Sequence, residues 1–324
     1  MKRNVLSLVG LILAASLSFW TPSLQAQTYP SQPIQLIFIM APGDGSDVTG
    51  RVIAEQLSKI LKTPVVPMNK PAGGGTMGVD YVVRGKKDGY NILYCNSNLI
   101  YTYALNPETT PYNPFQDLEP LCQAGTVPLL IAVQAESPWK SFKELVDYMK
   151  TNPGKIRGSS SGIGSIGHFC YEIIRKETGE GINMIPYKGA MPGFTALLGG
   201  HVEVGIPALS VVSPHLASGK VRALLTSKKI PEHPGIPTLT ELGYKRDMAS
   251  VWNAAFVPIG VADSVKKILG SAFEKSIKTP DVANVMQKIG YVQDYKPGEE
   301  VKKSMFEEYT IIKDLSKTMG PIAK

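Results

Sequence analysis

Two short segments, 119 positions apart, carry the same grouping of small and hydroxylated residues. Gly43-Asp44-Gly45-Ser46-Asp47 follows the apolar run Ile34 to Met40, and Gly162-Ile163-Gly164-Ser165-Ile166 follows Lys155 to Ser161. Each leads into a helical pattern, so each reads as Gly-x-Gly-Ser at a strand-to-helix turn. Glycine lets the backbone turn sharply and approach a bound molecule closely. The helix start adds free N–H groups and partial positive charge. One such turn suits an anion, and a pair of them could clamp one.

The second segment fits two further patterns. Gly158-Ser159-Ser160-Ser161-Gly162 matches Gly-x-Ser-x-Gly, which would make Ser160 a hydrolytic nucleophile. That chemistry needs a later acid and a histidine. His201, His215 and His233 are available, but no acidic partner stands out, so a secreted serine hydrolase is the alternative to a binding turn lined by hydroxyls. Gly162, Gly164 and Gly167 also match the Gly-x-Gly-x-x-Gly of dinucleotide sites. The acid needed about 20 positions on is missing; Ile185-Pro186-Tyr187 stands there. The four histidines show neither i, i+4 pairing nor His-Glu-x-x-His, so neither a metal nor a cofactor is expected. His168 differs from the rest, because it falls in the first turn of the helix after Ser165, where it could donate to a bound carboxylate. Asp47 suits a helix cap or a first-turn acid. Asp44 is ambiguous: aimed into an anion site it would repel the ligand, so it points to solvent or marks a ligand with a positive or hydrogen-bond-donating group.

Apolar runs alternate with amphipathic stretches along the elements that must position these turns. Strands are predicted at Ile34 to Met40, Pro64 to Met68 and Tyr90 to Cys95, with helices at Val48 to Leu61 and Met77 to Arg84 between them. In the first helix Val52, Ile53, Leu57, Ile60 and Leu61 share a face. This βαβα order argues for a parallel sheet with helices on both faces. Asn106 to Pro120, with four prolines, reads as an extended connection toward Leu121 to Val133. A second unit opens with a helix from Ser141 to Thr151, whose Ser141 and Glu144 have capping-box spacing. It continues through strand, turn and helix at Lys155 to Lys176. Strands then fall at Ile182 to Pro186, Val202 to Ile206 and Ala223 to Thr226, with helices at Pro192 to Leu198 and Val211 to Ser218. Ser250 to Pro258 reads as a last strand, and the remainder as helices at Val261 to Lys278, Asp281 to Ile289 and Glu299 to Met319, expected to return to the first unit.

Lys2 and Arg3, the apolar stretch Val5 to Leu17 and the small-residue exit at Ser23-Leu24-Gln25-Ala26 make residues 1–26 a secretory signal peptide by pattern. No later stretch approaches the ~20 apolar residues of a membrane span, so the product is expected to be a soluble periplasmic protein. The remaining length favours two domains: 27–126 with 250–324, and 127–249. The net charge of +7 is scattered, with Lys86-Lys87, Lys228-Lys229 and Lys302-Lys303 as mere pairs, which favours anionic small ligands over nucleic acid. Cys95, Cys122 and Cys170 are odd in number and widely spaced; buried thiols are expected, with one disulfide left open.

A set of segments resembles the substrate-binding receptors of tripartite tricarboxylate transporters, the Bug receptor family. They are Tyr29-Pro30-Ser31-Gln32-Pro33-Ile34, Ala41-Pro42-Gly43 with Gly45-Ser46-Asp47, Asn69-Lys70-Pro71-Ala72-Gly73-Gly74, and Asp88-Gly89-Tyr90. Tyr187-Lys188-Gly189 with Pro192, Leu197-Leu198-Gly199-Gly200-His201-Val202, Gly219 to Leu224, and Ile236-Pro237-Thr238 with Glu241-Leu242-Gly243 follow in the family's order. The resemblance implies a type II-like α/β periplasmic-binding-protein fold. Its two domains, each a mostly parallel sheet flanked by helices, would close on a small mono- or dicarboxylate without catalysis. It implies one jaw of Pro42, Gly43, Gly45 and Ser46, with Asp44 and Asp47 beside it. The other jaw would comprise Ser160, Ser161, Gly162, Gly164, Ser165 and His168. Gly73 and Gly74 would lie on a neighbouring loop, and Asn96, Ser97, Asn98, Tyr187, Lys188, Gly189, Ala208 and Ser210 would complete the wall. A monomer delivering its ligand to a large and a small membrane subunit is the implied partner arrangement; a sensor kinase is the other. Two departures stand out: the family usually has Gly where this chain has Asp44, and the strand end Val204-Gly205-Ile206-Pro207 is apolar where an Asp or Asn is common. An apolar wall suits an aliphatic or aromatic carboxylate better than an amino acid.

Overall fold

The computed structural model describes residues 29–317 and residue 319, so the signal-peptide segment lies outside the described residues. The chain runs through β1 (Ile34–Phe38), α1 (Gly45–Leu61), β2 (Val65–Asn69), α2 (Thr76–Val83), β3 (Asn91–Asn96) and α3 (Asn98–Leu105). It then crosses through β4 (Leu118–Val127) to β5 (Leu130–Gln134) and continues as α4 (Phe142–Thr151), β6 (Arg157–Ser160), α5 (Ile166–Thr178), β7 (Asn183–Pro186), α6 (Ala190–Leu198), β8 (Val204–Gly205), α7 (Leu209–Ala217) and β9 (Val221–Thr226). It returns through β10 (Val251–Pro258) and ends with α8 (Asp263–Ile277), α9 (Pro280–Lys288), β11 (Val292–Pro297) and α10 (Gly298–Ser316).

Two sheets result, ordered β11-β4-β10-β3-β1-β2 and β7-β6-β8-β5-β9. β1 lies parallel to β2 and β3, as β6 does to β7 and β8. Beyond β3 the neighbours β10 and β4 run antiparallel, and beyond β8 so do β5 and β9. One layout therefore occurs twice, β2-β1-β3-β10-β4 matching β7-β6-β8-β5-β9, with β11 added at one edge. The α/β sheets flanked by helices are as expected, and each is mixed, because β10 and β5, by which the chain enters each sheet from the other half, run opposite to its parallel strands.

β1 shows why all its residues but Gln35 are apolar: Ile34, Leu36, Ile37 and Phe38 are all 0 % exposed, with elements on both faces of the sheet. α1 packs through Ile53, Ala54 and Leu57. Ile60, assigned to that face by periodicity, is 36 % exposed. The buried stripe is rotated toward Thr49 and Gly50, where the Phe38 and Tyr94 rings occupy the space of a side chain. α3 and β11 were not expected from the sequence. All three cysteines are free and buried, and burial pushes each thiol well above its ordinary pKa. Among the described residues no helix is long and apolar enough to cross a membrane.

Candidate functional site

The second glycine turn, between β6 and α5, is held by hydrogen bonds of its own. Gly162 and Gly164 adopt φ of +131° and +75°, conformations that favour glycine. Ser165 caps α5: its Oγ accepts from His168 N at 3.2 Å and donates to Gly162 O at 2.7 Å. His168 Nδ1 accepts from Gly164 N at 3.1 Å, so the neutral ring carries its proton on Nε2. Burial lowers the His168 pKa, with Arg175 adding to the shift against Glu172, which keeps the ring in that acceptor form at neutral pH. The N–H of His168 is thus taken by the cap. Ile166 and Gly167 occupy the first two helical positions, whose N–H groups have no acceptor within the helix.

The first turn, between β1 and α1, has the opposite electrostatics. Asp44 is the N-cap, its Oδ1 accepting from Ser46 N at 2.8 Å. Asp47 is 3 % exposed and accepts from Gly43 N at 2.9 Å, Arg51 Nε at 2.9 Å and Asn69 Nδ2 at 2.8 Å. Burial alone would raise its carboxyl, but these bonds outweigh it and hold the pKa below the usual 3.8. Ser46, only 2 % exposed, donates from Oγ to Asn253 Oδ1 at 2.7 Å. Tyr291 seals the turn from behind: a Cβ on Gly45 would lie 2.5 Å from its phenol oxygen.

A cavity of about 470 Å³ lies against the second turn. Its wall includes Ser160, Ser161, Gly164, Ser165, Asn96, Asn98 and Ala208, all singled out from the sequence. It also includes Leu129 and Val251 at the crossings between the halves and Phe194, which no motif flagged, together with Ile163, Ile206 and Pro207. Crossing strands carry no local signature of a cavity, whereas the apolar end Ile206-Pro207 was visible as a departure from the family pattern. Among the described residues no lysine, arginine or carboxylate lines it.

Other sequence candidates lie elsewhere. Pro42, Gly43 and Gly73 are exposed, Gly74 sits in the turn Ala72–Gly75, and Asp44 and Gly45 are half-buried. Asp47 and Ser46 are buried in the bonds given above. Ser97 is fully buried with its Oγ unpartnered among the described residues. Gly162 and His168 shape the second turn without lining the cavity. Tyr187 donates its N–H to Ser160 O at 3.0 Å, Lys188 is exposed, and Ser210 is exposed at the start of α7.

Ser160 is not arranged as a nucleophile. Its Oγ donates to Gly162 O at 3.1 Å and meets Met184 Sδ at 3.2 Å, and neither an imidazole nor a carboxylate is among its partners. Lys62 is the only described non-glycine residue at positive φ, so Ser160 lacks the strained backbone of a nucleophile elbow.

Residues 49–322 match the family model described as "Tripartite tricarboxylate transporter family receptor". The chain belongs to this family. It is 34% identical over 308 residues to Protein BugT of Bordetella pertussis, covering 90% of this chain and 94% of that protein. Among solved structures it is similar to a TctC solute binding protein from Polaromonas, with TM-score 0.82 and 27% identity over 90% of this chain and 100% of the other. It is similar also to the periplasmic binding protein BugD, with TM-score 0.67 and 29% identity over 90% and 99%. The fold is that of a periplasmic solute-binding receptor, and the cavity of this family member is lined by Asn96 of β3, Ser159 and Ser160 of β6, and Ile206 just after β8.

Proposed function

We propose that this receptor captures a small organic carboxylate between its two halves, closes on it, and delivers it to the membrane subunits of a tripartite transporter. The halves are residues 27–126 with 250–324, and 127–249, exported to the periplasm after removal of residues 1–26 and acting as a monomer without catalysis. One observation carries the reading: an uncharged cavity of about 470 Å³ bounded by a helix start whose first two N–H groups have no intrahelical acceptor. Those N–H groups and the helix dipole supply the attraction that a cationic side chain would otherwise provide. Ile163, Ile206 and Phe194 supply an apolar wall for the ligand's carbon skeleton.

A thermal-shift screen of organic acids on the purified protein tests the capture step. Ligand at a hundredfold excess over its dissociation constant stabilises by about 2.7 kcal/mol, which raises the melting temperature by several degrees. Ser165→Glu would place a second anion at the helix start and abolish the shift. If no carboxylate raises the wild-type melting temperature, the reading fails. Delivery is read from ligand uptake by cells with and without the receptor.

A further inference from the structure

The four-proline connection that runs into β4 and the Lys302-Lys303 pair of α10, neither of which the cavity uses, meet at the surface beside β4. Together they enclose a groove of about 350 Å³. Leu118 and Met305 form its buried floor, Phe115 and Pro120 its half-buried wall, and Phe306 its lip. None of these residues lines the cavity at the second turn. The groove is preformed. Asn113 N donates to Asp117 Oδ2 at 2.7 Å and Phe115 N donates to Asn113 Oδ1 at 3.0 Å, which closes the connection into a turn that holds the Phe115 ring. That ring tilts against Tyr309 with centroids 4.9 Å apart and meets Phe306 edge-on at 6.0 Å. The start of α10 is fixed on β4 as well, because a Cβ on Gly298 would clash with Pro120 O.

Apolar exposure and charge together define what fits it. Phe306 is 61 % exposed beside the buried Leu118 and Met305, an apolar surface of the kind that marks an interaction site. Lys302 and Lys303, one helical turn before it, also line the groove, and neither has an ion pair or a side-chain hydrogen bond among the described residues. Glu299 is the one acid on the lining among the described residues, so two ammonium groups stand against one carboxylate. An apolar centre with a positive rim is complementary to an apolar side chain flanked by carboxylates.

We infer that this groove is a docking site for an acidic protein segment, which seats an apolar or aromatic side chain against Phe115 and Phe306 and sets its carboxylates opposite Lys302 and Lys303. Resting on the reading of the chain as a delivering receptor, the partner is a membrane subunit of the transporter. Phe306 supplies the anchoring contact, while the lysines speed encounter and fix the register. Because the groove is lined only from residues 114–120 and 299–306, docking there touches no residue of the cavity wall and proceeds with or without a bound carboxylate.

Binding of the full chain to the transporter's membrane subunits held in nanodiscs tests it, read by biolayer interferometry without added carboxylate. The wild type should bind, and Phe306→Ala and the double variant Lys302→Glu/Lys303→Glu should each weaken binding about tenfold, the scale of one anchoring contact. Raising the salt from about 0.05 M to about 0.5 M should weaken the wild type and Phe306→Ala but leave the double variant little changed. Glu and Lys are comparable helix formers, so melting temperatures should report an intact fold. Lys155→Glu/Lys220→Glu, the same charge change at exposed lysines outside the groove, should bind as the wild type does. Equal binding by the wild type and both groove variants overturns the inference and leaves delivery standing. So does a dimer in sedimentation, or binding to subunit-free nanodiscs of phosphatidylglycerol, that Phe306→Ala abolishes, since either gives the groove another occupant. If the wild type does not bind the subunits, delivery fails and the inference falls with it, while the thermal-shift screen judges carboxylate capture separately.

Discussion

Asp47 shows how a residue expected at the site can be structural. Its carboxylate joins the loop at Gly43, the helix at Arg51 and the end of β2 at Asn69 in one buried knot. Because its folded pKa is depressed, its stabilisation is present above the unfolded value and lost as pH falls through the folded one. Asp47→Asn, which leaves donors facing an amide, should cost about 3 kcal/mol at pH 7, or roughly 6 to 12 °C in melting temperature. The difference from wild type should shrink below about pH 4. Melting curves across pH check this, and a difference that does not change with pH would contradict it. The sequence showed that Asp47 belongs to a helix start, but not that Asp44 is the cap. Two acids three positions apart both satisfy the capping pattern, and only the backbone at Gly43 decides between them. His168 was legible as a first-turn residue, but the direction of its ring, toward Gly164 rather than the cavity, depends on a backbone turn that types and spacing do not encode.

Helix caps separate a structural element from one proposed to bear ligand. Ser141 accepts from Glu144 N at 3.2 Å, but Glu144 Oε2 reaches back to Lys140 N at 2.7 Å rather than to Ser141, so the capping box foreseen there is half formed. Ser165 makes the equivalent bond at the cavity. Ser141→Ala and Ser165→Ala should each lower stability by about 1 kcal/mol, or roughly 2 to 4 °C. Only Ser165→Ala should weaken carboxylate binding, by about tenfold, because it also removes the 2.7 Å bond to Gly162 O and loosens the turn. Equal affinities in the two variants would show that the second turn does not hold the ligand. These helices were readable because each has a polar face. α3 was not, because Leu99, Ile100, Tyr101 and Ala104 are buried and little polar surface remains to mark a helical period. β11 escaped for the opposite reason: as a partly exposed edge strand, Val292-Gln293-Asp294-Tyr295-Lys296-Pro297 shows neither an apolar run nor alternation.

The proposed closure requires surfaces that meet between the halves away from the cavity. At the back, Tyr101 of α3 packs edge-on against Phe169 of α5 with centroids 5.3 Å apart, and Lys176 pairs with Asp314 of α10. Nearer the start of α7, the backbone of Gly290, between α9 and β11, lies so close to Ser210 that a Cβ would come within 2.6 Å of Ser210 N. Gly290 also holds φ at +71°. Gly290→Ala therefore adds two costs, backbone strain and a clash across the halves. Gly219, at φ +67° with open space around it, isolates the first. Gly219→Ala should cost about 1 kcal/mol, the ordinary penalty for a left-handed residue, and leave ligand affinity alone. Gly290→Ala should cost more, weaken binding by about tenfold and, in small-angle scattering with saturating ligand, give a larger radius of gyration than wild type, because the packed arrangement is the one penalised. If its scattering and affinity match those of Gly219→Ala, the Gly290–Ser210 contact is not part of the ligand-holding state, and closure must be governed at the Tyr101–Phe169 side instead.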